Sequence, residues 1–139
     1  MIVLDTNVLS ETMRSSPASL VLRWMAAQPA LGLFTTTVTE AEILFGLALL
    51  APGQRRAAFE QAVEAMFAED FAGRVLPFDR AAAAAFAEIA AVRRLAGRPI
   101  SQADAQIAAI ARSRGAAVAT RNVKDFEGCG VVVVDPWAP

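Results

Sequence analysis

Five acidic or amide side chains stand where a strand or helix begins, ends or turns inward, and their types point to chemistry at phosphate. Asp5 closes the apolar run Ile2-Val3-Leu4 in the triplet Asp5-Thr6-Asn7. Glu42 lies in an otherwise apolar helical stretch, and Asp104 opens another after Ser101. Asn122 and Asp125 follow Ala117-Val118-Ala119. Each has an ordinary structural explanation. Asp5 suits a helix N-cap, Glu42 and Asp104 complete capping boxes with Thr39 and Ser101, and Thr120 to Asp125 reads as a polar strand-end turn. A competing box, Thr37 with Glu40, would leave Glu42 free and inward, and periodicity does not choose between Glu40 and Glu42. Taken together, the carboxylates suggest a site for hydrated Mg²⁺ or Mn²⁺. Such a cation lowers the pKa of a bound water and neutralises charge developing on phosphate, which permits phosphodiester hydrolysis without histidine.

Absences narrow the field. The 139 residues contain no histidine and one cysteine, Cys129. That excludes a Ser-His-Asp triad, a histidine metal site, an internal disulfide and a structural zinc site. No phosphate-cradling G-x-x-x-x-G-K-[ST] or G-x-G-x-x-G occurs. Net charge is −1, so the molecule as a whole does not advertise nucleic-acid binding. From Arg80 to Lys124, however, eight basic residues face only Glu88 and Asp104. Arg93, Arg94, Arg98, Arg112, Arg114 and Arg121 are thus either solvated helix faces or a phosphate-facing patch.

The elements that must position these residues alternate. Strands are expected at Ile2 to Leu4, Leu33 to Thr36, Val75 to Phe78, Ala117 to Ala119 and Val131 to Val134, with Pro77 marking an edge. Helices are expected at Thr6 to Met13, Pro17 to Gln28 and Val38 to Leu50, the last apolar all round and therefore buried. After Pro52-Gly53 an amphipathic helix turns Phe59, Val63, Met66 and Phe67 inward. Asp79 caps an alanine-rich helix reaching Leu95, and Ser101 caps one ending near Gly115. Uninterrupted apolar strands alternating with helices imply a parallel sheet covered on both faces. No domain linker stands out, so residues 1–139 read as one domain. The hydrophobic fraction of 55% suggests surface covered by a partner or a second copy. The longest apolar run, Ile43 to Ala51, is too short to span a bilayer, and the N-terminus lacks a signal-like basic start. With one cysteine, a cytoplasmic location is expected.

Asp5-Thr6-Asn7, Thr39-x-x-Glu42-x-x-x-Gly46, Ala103-Asp104-x-x-Ile107-Ala108 and Ala119-Thr120-Arg121-Asn122 occur in the order seen in PIN-domain nucleases. The chain resembles the VapC toxins of bacterial toxin–antitoxin pairs, and among them the FitB-like proteins, from residue 2 to about Trp137. The resemblance implies a three-layer α/β/α sandwich with a mainly parallel sheet and Mg²⁺-dependent endoribonuclease activity. It also implies a homodimer and inhibition by a cognate antitoxin. It assigns Asp5, Glu42 and Asp104 to an acidic triad, choosing Glu42 over Glu40, with Asp5 and Asp104 as metal ligands. The family's fourth position, often Asp, falls here on Asn122, which weakens the case for a second metal unless Asp125 substitutes. Thr6 and Thr120 would orient ligands or water. Two other readings compete. One is a different Mg²⁺-dependent phosphohydrolase with Asp5 as nucleophile, although Lys124 is the only lysine available to assist. The other is a non-catalytic PIN-like binding module.

Overall fold

A computed structural model describes residues 1–139. Five short strands form one sheet: β1 (Ile2–Leu4), β2 (Leu33–Thr36), β3 (Val75–Leu76), β4 (Ala117–Ala119) and β5 (Val133–Val134). They lie in the order β3-β2-β1-β4-β5 with every neighbouring pair parallel. Ile2 stands opposite Leu33 on one side and Ala117 on the other, so β1 is central. Six helices complete the fold: α1 (Thr6–Thr12), α2 (Ser19–Ala27), α3 (Thr37–Ala48), α4 (Gln54–Ala65), α5 (Arg80–Leu95) and α6 (Gln102–Ser113).

Strand periodicity divides the core in two. Val3 and Val118 point to one face, where Ala82 and Ile89 of α5 and Ile107, Ala108 and Ile110 of α6 cover them. Leu4 and Ala119 point to the other, against Val8 and Leu9 of α1, Val21 of α2, Ile43 and Leu47 of α3 and Val63 of α4. This is the three-layer α/β/α arrangement expected from the alternating elements. The chain runs outward from β1 through β2 to β3. It then returns behind the sheet through α5 and α6 to β4, on the opposite side of β1. The strand order therefore reverses between β1 and β4, the point at which open α/β sheets form a crevice outside the carboxyl ends of their strands.

Helix ends follow their local chemistry. Asp79 accepts the Ala82 N–H at 2.9 Å and Ser101 accepts the Asp104 N–H at 3.2 Å, capping α5 and α6 as expected. Both helices stop on a glycine with left-handed backbone, Gly97 (φ 73°) and Gly115 (φ 65°). The following N–H groups of Arg98 and Ala116 reach back to the carbonyls of Arg93 and Ala111. α4 continues into a π-helical turn, Met66–Asp70, that buries Met66 and Phe67. β3 ends at Leu76, so Pro77 lies just beyond a short edge strand, and β5 is shorter than its valine run. No helix is long and apolar enough to cross a membrane.

Two expectations change. First, α3 is buried along one stripe only, Thr39, Ile43 and Leu47, while Leu44, Phe45 and Leu49 are exposed. The chain supplies neighbours for one side of this helix, so its apolar circumference exceeds the room available. Second, Arg93 is buried rather than solvated or phosphate-facing. Its Nε donates to the Arg98 carbonyl at 2.7 Å, and Nη1 donates to the carbonyls of Asp125 and Glu127 at 2.8 and 3.0 Å. It ties the end of α5 to the short 3₁₀ turn Val123–Phe126 that follows β4.

Replacing Arg93 with Met keeps much of the stem's volume but leaves those carbonyls without their charged donor. The expected loss is about 3 kcal/mol, read as a lower urea midpoint at unchanged m-value. An Arg93→Met protein as stable as the parent would contradict this bracing role.

Candidate active site

Asp5 follows the last residue of the central strand, on the β1–β4 boundary, and is 4% exposed. Its backbone N–H still pairs with the Ala119 carbonyl at 2.9 Å, so the sheet fixes its main chain. Its Oδ1 accepts the Thr6 N–H at 2.8 Å, confirming that it caps α1. Its Oδ2 accepts the Thr120 hydroxyl at 2.8 Å and the Asn7 side-chain amide at 3.3 Å. Capping and site placement are thus compatible in one side chain. The carboxylate has several lone pairs and these donors leave room for another partner.

Thr120 is fully buried at the end of β4. Its one proton goes to Asp5, and its oxygen accepts the Asn122 N–H at 3.0 Å and the Asn7 amide at 3.3 Å. Asn7 closes this loop of contacts, because its Oδ1 also accepts the Arg121 N–H at 3.3 Å. Asn7 was not singled out from the sequence beyond its place in Asp5-Thr6-Asn7. Two residues after Asp5 in the first turn of α1, its amide spans the β1 and β4 ends.

Glu42 is exposed rather than inward, but α3 aims it at α1. Its Oε1 accepts the Thr6 hydroxyl at 2.7 Å. Thr6 lies 3.0 Å from the buried Thr39 hydroxyl. Since the proton of Thr6 is directed to Glu42, Thr39 is the donor in that pair, giving a relay Thr39 to Thr6 to Glu42. Neither sequence-predicted box caps α3: the cap is Thr36, whose hydroxyl accepts the Thr39 N–H at 3.1 Å. Glu40 lies apart, in a groove with Arg56 and Glu60 between α3 and α4.

Asp104 sits half-buried in the first turn of α6, where Ser101 caps its N–H. The structure brings the three carboxylates into one electrostatic neighbourhood. Burial pushes the Asp5 carboxyl up to about 6, against the lowering effect of Thr120 and Thr6, and the charges of Asp104 and Glu42 raise it further. Burial likewise raises Asp104, with Asp125 and Glu42 adding to the rise and Ser101 opposing it. Asp125 therefore belongs to the same negative field. Asn122 is exposed at the β4 end, held through its backbone to Thr120.

Such a crowd of carboxylates fits a divalent cation, which would relieve both the repulsion and the burial penalty. No three acidic, histidine or cysteine side chains converge as a ready ligand cage. Three of the eight basic residues in the local excess have acidic partners. Arg98, Arg112 and Arg114 approach Glu127, Glu88 and Asp79 at 3.0, 2.8 and 3.8 Å. Asp79 and Glu127 lie just outside the stretch in which the basic residues outnumbered the acids.

Comparisons with known proteins show what the chain is similar to. The PIN-domain family model matches residues 2–127. VapC ribonuclease Y4jK of Sinorhizobium fredii is 42% identical over all of this chain and 99% of its own. Toxin FitB of Neisseria gonorrhoeae is 37% identical over 99% of both. The crystal structure of FitAcB from Neisseria gonorrhoeae matches with a TM-score of 0.94 at 37% identity, covering both chains completely.

The raised Asp5 pKa has a consequence for stability. The folded chain keeps a proton that the unfolded chain releases above about pH 4, so metal-free stability falls as pH rises from there through about 6. The loss should total about 2–3 kcal/mol by neutral pH. Asp5→Asn should remove this slope and raise the melting temperature in EDTA at pH 7. An unchanged pH profile in that variant would assign the slope to another group.

Proposed function

Because the chain belongs to the PIN-domain family, we propose that it is a Mg²⁺-dependent endoribonuclease, the toxin of a toxin–antitoxin pair restrained by a cognate antitoxin. The observation that carries this reading is the buried Asp5, raised by its own burial and by Asp104 and Glu42 at the reversal of the strand order. The 139 residues act as one nuclease domain working in the cytoplasm.

In this reading Asp5 and Asp104 hold the cation, with Mn²⁺ an alternative to Mg²⁺. When bound, the cation supplies acidified water and a counter-charge for phosphate. The protein's own contribution is placement. Thr120 and Thr6 fix both oxygens of Asp5, so its carboxylate cannot rotate away. Thr6 fixes Oε1 of Glu42, leaving Oε2 to take a hydrogen bond from water at the crevice. Asn122 offers an amide oxygen where related sites carry a charge, and Asp125 adds charge from the following turn. Neutral Asn122 leaves one strong cation position rather than two.

The exposed apolar side chains fit the proposed partners. Leu44, Phe45 and Leu49 on α3 and Val92 and Leu95 on α5 are the surface that a second copy or the antitoxin would cover. Light scattering of the purified chain at micromolar concentration should give the mass of a dimer. A monomer mass would remove the homodimer from this proposal.

The central test is cleavage of total RNA with Mg²⁺ and with EDTA, followed by mapping of the ends. Cleavage should require the metal. Asp5→Asn and Asp104→Asn should each lower it by at least about a hundredfold, beyond what losing a ligand's supporting partner costs, while both variants stay folded by circular dichroism. Wild-type cleavage by either variant would exclude that residue from the site.

A further inference from the structure

With the paired cations set aside, Arg121 stands out beside the carboxylates. It is the residue between Thr120 and Asn122, its side chain is exposed, and no carboxylate lies within ion-pair distance of it. Its guanidinium carbon lies 5.0 Å from the centre of the Trp137 ring. A contact of this kind holds the group through its charge and its face, and leaves the N–H fork free for an outside acceptor. Trp137 is itself anchored. Its side chain packs against the core of α1 to α4, and its backbone N–H donates to the Asp135 carboxylate at 2.9 Å.

The main chain of Arg121 is fixed as firmly. Its N–H donates to the Asn7 Oδ1, and the same Asn7 amide donates to Asp5 Oδ2 and to Thr120. One side chain thus sets the position of both the arginine and the buried carboxylate. Asp5, Glu42, Asp104 and Asp125 contribute to one negative field at these strand ends, and the charge of Arg121 also acts on Glu11 of α1. A polyanion approaching that field needs a cation near the cut. Arg121 and Lys124 border a shallow hollow of about 410 Å³ with Asn122, Asp125 and Asp135, directly outside the β4 end; the Asp135 carboxylate is already engaged by the Trp137 backbone N–H. Of the two, Arg121 alone has a planar fork that matches phosphate in a bidentate fashion.

We propose that Arg121, braced on Trp137, grips a backbone phosphate of the RNA strand lying across the carboxylates, and so sets the strand's position relative to the cut. This rests on the ribonuclease reading. Arg121 is the contact residue and Trp137 a positioning residue, whose ring face holds the guanidinium.

The test is a salt titration of binding to a short single-stranded RNA oligonucleotide in Ca²⁺, with cleavage of the same oligonucleotide in Mg²⁺. Arg121→Gln should weaken binding roughly ten- to hundredfold and make the log–log salt slope shallower by about 0.7, the signature of one fewer neutralised phosphate. Arg121→Lys should keep the slope while losing part of the affinity, because charge survives and the fork does not. Trp137→Leu should weaken binding with the charge intact, and Trp137→Phe should recover most of that loss, a pattern that a packing role alone would not produce. If Arg121→Gln fails to fold, Arg121→Lys decides by itself: lower affinity at unchanged slope supports the phosphate grip, and wild-type affinity overturns it. Wild-type affinity and slope in both Arg121 variants, with the parent still cutting RNA, would overturn the Arg121 assignment and leave the nuclease intact. A parent chain that neither binds nor cuts the RNA would overturn both.

Discussion

The Thr120 hydroxyl donates to Asp5 Oδ2 across the one place where the strand order reverses. Most of the site depends on this bond. A carboxylate as enclosed as Asp5 is tolerated only with donors on both oxygens or a cation nearby. The sheet supplies the donors by placing β1 and β4 side by side, with Leu4 opposite Ala119. Asp5 is then locked, Asn7 and Asn122 are drawn in on the same hydroxyl, and α1 starts in the direction that brings Thr6 to Glu42. The acid's raised pKa is the residual cost of this arrangement, since the donors offset burial only in part.

The fold was largely readable from local pattern. The short apolar runs at β1, β2 and β4, the breakers at Pro52-Gly53 and Gly97, and the caps Asp79 and Ser101 act over a few residues, where spacing is informative. The carboxylates of the site were also visible as candidates, because an acid at the end of an apolar run is an uncommon placement. What escaped was set by contacts between distant segments. Thr36 caps α3 because β2 runs straight into the helix, and this took the capping role from the Thr37 and Thr39 boxes. Glu42 is exposed because α3 lies at the margin of the core, a position that apolar composition alone does not reveal. Arg93 looked like a solvent-facing cation until the turn after β4 brought carbonyls to it. The basic excess from Arg80 to Lys124 depended on where the counting stopped, since Asp79 and Glu127 fold back onto it.

The two faces of the sandwich differ. The α5–α6 layer meets the sheet through small side chains, with Ala82, Ala105, Ala108 and Ala109 almost inaccessible, while Val92 and Leu95 at the end of α5 face outward. The α1–α4 face carries the exposed apolar side chains of α3, the broad groove beside α4 and the π turn. Glu42 stands on the margin between this open face and the carboxylates. Whatever covers α3 therefore acts within reach of the site.

The bond between Asp5 and Thr120 joins residues 115 positions apart. A chain is synthesised from its N-terminus, so Asp5 leaves the ribosome long before its partner exists. Until β4 has been made and has inserted beside β1, Asp5 has neither the Thr120 donor nor a neighbouring strand on that side, and Arg121 has no place in the crevice. Under the proposed ribonuclease function, this order of synthesis gives the chain a built-in delay. Asp5 and Thr120 cannot meet in a nascent chain that lacks β4, so the contact on which the proposed site depends forms only after most of the sheet has been made.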